Sequence, residues 1–429
     1  MAGSRIAELA SLIANSTAYI GTHLAAEGHP TPSFDVDQPT HLLNDSKIAT
    51  SRRNIIEATD ELNALMLGPV GILTSPSHNF MISLQAIYRL GIATGFPHKK
   101  SEATFGEIAL YSGVCESHVR RILRHAMTYR IFCEPRKGVV AHTAASKLLA
   151  ENPLMHEWIG MVSEEMWPAA TRAVDALTRW PNSEEPYHSG FNIAHNTDKP
   201  VFDELAKHPD REKRYAAAMT WFSTGPGLET SHIVNGFAWE NIGKGVIVDV
   251  GGSQGVVGAA IVRAFPSLHC IVQDQVDVVK VGQQNLQPEL QTRITFMKHD
   301  FFEAQPIKAA NVYLLRWILH DWSEKYAVQI LKALVPALTQ DSKLVICEHV
   351  LPEPGTVPIC QERAMRAFDL AMLEFHNAKE RDIDDWVGLL AMADSRFRLL
   401  DCKQPPGSRL AVMEVGWLGD KVGDKLGSN

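Results

Sequence analysis

Cysteine pairing is missing from this chain. Its six cysteines, at 115, 133, 270, 347, 360 and 402, lie singly with no CxxC spacing, which removes a structural zinc site and a disulfide framework and leaves reduced thiols in a cytoplasmic protein as the expectation. No apolar run approaches the ~20 residues of a membrane span, and Arg5 and Glu8 stand where a signal peptide needs an unbroken apolar stretch. Basic charge is not in excess either. Lys and Arg number 41 against 49 Asp and Glu, a formal net charge of −8, so neither nucleic acid nor an acidic membrane is an expected partner. Repeats and low-complexity tracts are absent, and the carboxylates and histidines show no metal-ligand spacing, so no metal is expected.

What is present is apolar content, 45% over 429 residues, enough for the cores of two or three domains. The most informative stretch is Val246-Ile247-Val248-Asp249-Val250-Gly251-Gly252-Ser253-Gln254-Gly255, followed by Val256, Ala259, Ala260, Val262 and Phe265 at helical spacing. It reads as strand, tight turn and helix, the first βα unit of a nucleotide-binding sheet. Glycines let the backbone approach a ligand, and the helix start offers free N–H groups and a positive dipole. A dinucleotide fingerprint needs G-x-G-x-x-G, and the series here runs Gly251, Ser253, Val256, so NAD and FAD are disfavoured. Gly251 to Gly255 also matches the G-x-S-x-G nucleophile elbow, but that elbow sits inside an already built sheet and almost nothing upstream reads as strand. Asp249 would repel phosphate, yet suits a ligand carrying an ammonium and a sulfonium, as S-adenosylmethionine does.

The amino-terminal half reads as helical. A short amphipathic helix (Ile6, Leu9, Leu12, Ile13) and a proline-bearing loop over 27–48 precede a helix over 51–67 that stops at Gly68-Pro69. Helices at 77–93, 104–112 and 117–129, then a hairpin of 131–133 against 139–141, make a winged helix. Its third helix carries Arg120, Arg121 and Arg124, and its wing Arg136 and Lys137, so a DNA reader competes with a solvated face on a dimerisation or lid module. The second reading is preferred, because a DNA reader leaves the ligand-binding half unexplained. The domain change falls within 200–240 and is set at 210/211.

Beyond it, strands at 246–250, 268–273, 293–297, 311–315, 342–348, 396–402 and 409–416 alternate with helical patterns, which gives an α/β, Rossmann-like doubly wound sheet. Ligands bind at the carboxyl ends of such strands. The second strand ends at Asp274, suited to two ribose hydroxyls, and the third is followed by Asp300 and Phe301, suited to an adenine amino group and ring face. The fourth runs into His320, and the fifth ends in Glu348, which a neighbouring strand position brings near His320. A carboxylate beside imidazole sets its tautomer and raises its basicity.

Val248 to Gly255, Leu319-His320-Asp321-Trp322, Glu348 with Leu351-Pro352, and Lys379-Glu380-Arg381 together resemble the plant and fungal small-molecule O-methyltransferases that use S-adenosylmethionine. The resemblance covers most of the chain. It implies a class I methyltransferase sheet with an amino-terminal, all-helical winged-helix domain that forms an intertwined homodimer, His320 as general base, and Glu348 and Glu380 flanking it. It also implies Gly251, Asp274, Asp300 and Phe301 as positions that hold the cofactor; Asp249, Gly252 and Arg316 complete the expected set, Arg316 standing where the family commonly has lysine and Ser253 where it has a third glycine. Tyr215, Met219 and Phe222, with Trp167 and Met372, are the expected acceptor lining, and the acceptor class is a phenolic polyketide or similar aromatic metabolite. Some proteins resembling the family hold the cofactor as a fixed cation and catalyse pericyclic or dehydrative steps; an intact His320, Glu348 and Glu380 set favours methyl transfer. A histidine near its ordinary pKa of ~6.5 is mismatched to a phenol near ~10, so proton removal is expected to accompany attack.

Overall fold

A computed structural model describes residues 4–76, 78–96 and 101–418. The chain divides into two compact units, one of Met1–Trp167, Pro209–Trp221 and Pro354–Ala364, the other of Pro168–His208, Phe222–Glu353 and Met365–Asn429. No described helix is long and apolar enough to cross a membrane.

In the first unit the opening helix is longer than the four apolar positions imply, running Arg5–Ala26 from a Ser4 cap whose hydroxyl accepts the Ala7 N–H. The following helix, Ala49–Thr74, is broken at Gly68 (φ 61, ψ −178) before Pro69 and then resumes; the expected stop is real as a kink, because Pro lacks a donor and crowds the preceding turn. Helices Asn79–Arg89, Phe105–Ser112 and Glu116–Thr128 form the winged helix; Ser77, the expected start, lies outside the described residues. Its sheet has three strands rather than a hairpin alone: β1 (Glu102–Thr104) pairs with β3 (Val139–Ala141), which pairs with β2 (Cys133–Arg136). A three-residue strand with no alternation leaves no trace in sequence, and the unit is therefore not all helical. The core draws Leu84, Ile87, Phe105, Val119, Leu123, Phe132 and Val140 together. Arg120 pairs with Glu116, Arg124 makes two 2.8 Å bonds to Glu134, and Arg136 lies 2.6 Å from Glu102. Much of the basic helix and wing is thus neutralised locally, as a solvated face would be.

In the second unit a seven-stranded sheet has the order β6-β5-β4-β7-β8-β10-β9, with β4 Gly245–Val250, β5 Leu268–Asp274, β6 Ile294–Lys298, β7 Val312–Arg316, β8 Lys343–Glu348, β9 Phe397–Lys403 and β10 Ala411–Trp417. All pairs are parallel except those of β10. The near-continuous apolar runs of β4, β7 and β8 follow from burial on both faces: Val248, Leu315 and Ile346 feed one core, and Ile247, Leu314 and Val345 the other. The order reverses between β4 and β7, so the crevice of a doubly wound sheet opens where Gly251 and Trp317 leave their strands.

Tyr313 is fully buried in β7, with its hydroxyl 2.7 and 3.1 Å from the carbonyls of Ile307 and Ala337 and accepting the Ala310 N–H at 3.2 Å. Tyr313→Phe removes the partner of buried backbone groups, and we expect a loss of roughly 1–3 kcal/mol in urea unfolding of the second unit.

Candidate active site

Chain reversal after β4 depends on glycine at two points. Gly251 has φ 71, and a Cβ there would meet Ile318 Cδ1 at 2.4 Å with the Phe301 ring beyond at 3.8 Å; a Cβ on Gly252 would meet the Asp249 carboxyl carbon at 2.5 Å. Ser253, in the place of a third glycine, adopts φ 52, so the turn keeps its left-handed form at a modest cost in strain. The loop is laced to the end of β5. Gly251 and Gly252 donate to the Gln273 carbonyl at 2.8 and 3.1 Å, and the Asp274 carboxylate accepts the N–H groups of Ser253 (2.8 Å) and Gln275 (2.7 Å).

Asp249 is 2% exposed, and its Oδ2 has no hydrogen-bond partner among the described residues. Burial raises its pKa to about 7, against a smaller pull downward from the Arg316 guanidinium. Asp274 is also pushed up by burial, against its two backbone donors. Arg316 itself donates to the Leu228 carbonyl at 3.0 Å and lies over the Trp317 ring. After β6, Asp300 Oδ1 accepts the Phe302 N–H at 3.0 Å, and Phe301 packs edge-on to Phe302 and Trp322. An orphaned buried carboxylate oxygen under a turn that a Cβ would fill, with further acids and a ring on the next two strands, fits a cationic nucleoside such as S-adenosylmethionine.

On the other side of β4, His320 is 7% exposed on a single turn, Leu319–Asp321. Its Nδ1 lies 2.7 Å from Glu380 Oε1, and its Nε2 lies 3.5 Å from Asp321 Oδ1. Glu348 is fully buried, but its bonds go to backbone: Oε1 accepts the N–H groups of Ile318 (2.8 Å) and Leu319 (3.0 Å). So Glu380 orients the ring, and Glu348 caps the turn that carries it. Burial would lower the His320 pKa, yet the charges of Asp321, Glu348 and Glu380 together outweigh it and raise it to about 10. Glu380 is held down at about 2, its two histidine neighbours overcoming the burial penalty, whereas burial pushes Glu348 up to about 7.

The expected acceptor residues divide. Phe222 stacks on Trp317 (5.3 Å between centroids) and on Phe368 (5.5 Å), and Phe368 lies 5.9 Å from the His320 ring. Met372 is buried four residues beyond Phe368 on helix Ile359–His376. Trp167, Tyr215 and Met219 are half-buried in the first unit. Sequence reasoning passed over Trp317, Phe368, His349 and His376. Trp317 and His349 directly follow strand-end residues already singled out, so strand alternation was the available signal; Phe368 and His376 lie on a helix and carried none. A cleft at the opposite, amino ends of β4 and β5, lined by Lys244, Pro266, Ser267 and His269, contains none of these groups.

Among the described residues no group of three His, Cys, Asp or Glu side chains could hold a metal ion. Because Asp249 titrates higher folded than its unfolded value of ~3.9, its neutral form favours the fold below that value and the contribution is lost as pH rises through about 7. Asp249→Asn is therefore expected to gain stability relative to the native protein between pH 5 and pH 9, read from urea midpoints; a difference independent of pH counts against the shift.

Residues 175–396 match the family model of the O-methyltransferase domain. The O-methyltransferase kk1A of Curvularia clavata is 39% identical over 96% of this chain and 98% of its own length, and the grayanic acid biosynthesis cluster O-methyltransferase of Cladonia grayi is 37% identical over 96% and 88%. The crystal structure of OxaC superposes with a TM-score of 0.76 at 20% identity, covering 96% of this chain and 98% of that one, and a structure described as a pericyclic reaction enzyme with 0.71 at 23%, covering 94% and 99%; these two likenesses establish the fold alone. The chain belongs to the O-methyltransferase family and is an enzyme that transfers the methyl group of S-adenosylmethionine to an oxygen.

Proposed function

We propose that the acceptor is a phenolic hydroxyl of an aromatic secondary metabolite, of the polyketide type, and that His320 removes its proton. The observation that carries this reading is the buried His320 ring, held at Nδ1 by Glu380 and walled by Trp317 and Phe368. Flat rings beside the base suit a flat acceptor. S-adenosylmethionine, when bound, supplies an electrophilic methyl on a sulfonium whose positive charge favours neutral imidazole. Gly251, Gly252 and Phe301 would cradle it, Asp274 would face its ribose, and Asp249 would oppose its positive charge, with Asp300 next to its base and Arg316 bracing the turn behind.

Methyl transfer is an in-line displacement, so the chain's task is alignment and proton removal. The Nδ1–H of His320 stays on Glu380 while Nε2 accepts the acceptor proton. With its pKa raised to about 10, His320 is matched to a phenol of ~10 rather than mismatched as its ordinary value implies, so the proton moves at little cost once the imidazole is neutral. The pericyclic reading has only a fold-level neighbour behind it, whereas the relatives at 37–39% identity are O-methyltransferases.

His320→Gln keeps size and hydrogen bonding but cannot take a proton at neutral pH. We expect turnover on a phenolic panel to fall ~10²- to 10⁴-fold with cofactor affinity within a few fold, and native turnover to rise with pH on the alkaline side as the imidazole loses its proton. Near-normal turnover by the variant would refute the base, and substrate conversion without cofactor consumption would favour the pericyclic reading.

The winged-helix unit we assign to a homodimer interface and acceptor lid in a cytoplasmic enzyme, with residues to 210 as this domain and 211–429 as the cofactor domain. Helix Ala49–Thr74 leaves Leu65, Met66, Val70 and Leu73 exposed, Val70 at 73% and Leu73 at 82%. Such a patch marks an association surface, and a second copy is the occupant that symmetry favours. Sedimentation should give twice the chain mass, and Val70→Glu with Leu73→Glu should shift it toward the monomer.

A further inference from the structure

β5 ends in Gln273 and Asp274, and successive residues of extended chain face opposite ways. Asp274 takes the loop amide of Ser253, while the side chain of Gln273 turns to the other face and is buried, the residue being 1% exposed. There it meets Gln305, also 1% exposed, on the segment that leaves β6. The two amides pair reciprocally. Gln273 Nε2 donates to Gln305 Oε1 at 2.9 Å, and Gln305 Nε2 donates to Gln273 Oε1 at 2.8 Å. Nothing in the methyl transfer described above uses either side chain.

Both partners are anchored beyond the pair. Gln273 stands in register with Val250 of β4 and Met297 of β6, and its Nε2 also lies 3.6 Å from Met297 Sδ. Gln305 Oε1 accepts the Ile307 N–H at 3.1 Å, and the Gln305 N–H donates to the Ala333 carbonyl at 2.9 Å, near the end of helix Glu324–Leu334. Two apolar side chains would fill this space without the cost of desolvating two amides. They would not supply direction. Hydrogen bonds constrain distance and angle, whereas apolar contact is non-directional, so the amide pair sets where the segment after β6 lies against β5.

That placement matters because Gln273 reaches both walls of the crevice. Its carbonyl accepts the N–H groups of Gly251 (2.8 Å) and Gly252 (3.1 Å). Its side chain holds Gln305, four residues beyond Phe301, whose ring lies 3.8 Å from where a Cβ on Gly251 would stand. We propose that Gln273 and Gln305 are positioning residues for S-adenosylmethionine: their paired amides set the gap between the Gly251 turn and the Phe301 ring, and with it the fit of the adenosine part. The inference rests on Gly251 and Phe301 lining the cofactor site.

The test compares Gln273→Leu, Gln305→Leu and the double variant with the native enzyme, by urea unfolding and by calorimetry of S-adenosylhomocysteine binding. Each single variant strands one buried amide and should be less stable, whereas the double variant strands none and should recover much of the native midpoint. Affinity should not follow stability. The double variant should bind S-adenosylhomocysteine about five- to fiftyfold more weakly, the scale set by two neutral hydrogen bonds, with KM for S-adenosylmethionine raised alike and kcat at saturation within about threefold. A double variant with native stability and native affinity would overturn the proposal, since a pair that only holds the fold has no further effect once the fold is restored. Gln305→Asn keeps the amide but shortens its reach, so it should weaken binding even where leucine is not tolerated, and native affinity there would likewise overturn the proposal. Phe301→Ala separates this inference from the site it rests on. If it weakens binding while the glutamine variants do not, the positioning role alone fails; if it leaves affinity unchanged, the cofactor does not lie against that ring and the site assignment falls, taking the proposal with it.

Discussion

A fully buried guanidinium fixes the surroundings of His320. Arg381 donates from Nη1 to the Leu319 carbonyl (2.8 Å) and from Nη2 to the Trp322 carbonyl (2.9 Å), and its Nε lies 3.1 Å from Glu324. Those carbonyls bracket His320, and the residue before Arg381 is Glu380. One side chain therefore clamps the turn that carries His320 to the segment that supplies its carboxylate partner, across some sixty residues of sequence. Arginine suits the task because its planar fork serves several acceptors and stays charged when buried. The Val350 to Arg381 bridge and the Leu351 N–H to Arg381 carbonyl bond (2.9 Å) complete the tie to the end of β8.

The two halves of the crevice handle charge differently. At the ends of β4 and β5, Asp249 is buried and Asp274 half-buried, and both carboxyls are raised in pKa by loss of water. On the side of β7 and β8, negative charge is already matched by His320, with Glu380 held ionised and Glu348 spent on backbone amides. Carboxylates thus differ by what each faces: Asp274 ties a loop to its strand, Glu380 holds a ring and Glu348 caps a turn. Transition-state stabilisation benefits from such groups being fixed before substrate arrives.

The strand alternation from 246 onward, the glycine turn and the residues at strand ends could all be read from sequence, because a parallel sheet buried on both faces writes itself as short apolar runs and its turns demand particular backbone angles. Asp249, Asp274, Phe301 and His320 each sit within a few residues of such a run. Where local pattern is thin, the reading thinned as well. β1 is too short to alternate, the apolar stripe of Arg5–Ala26 is interrupted at Ser16 before Ile20 and Leu24 continue it, and the helix past Gly68 resumes after a signal that normally ends one.

Local pattern specified that an acid would accompany His320, but spacing could not decide which one touches the ring. Glu348 comes from a neighbouring strand, and Glu380 from sixty residues on; the tertiary structure gave the ring to Glu380 and the backbone to Glu348 because Arg381 draws its own segment against the turn. The elevated basicity of His320 likewise belongs to three acids brought together by folding, not to any one motif. Sequence by itself determined the sheet, the glycine turn after β4 and the placing of His320 just past a strand end, since each depends on periodicity or on one residue's conformational freedom. Only the packed structure decided the partner of each carboxylate, because burial and distance, which set charge and hydrogen bonding, exist only once distant segments meet.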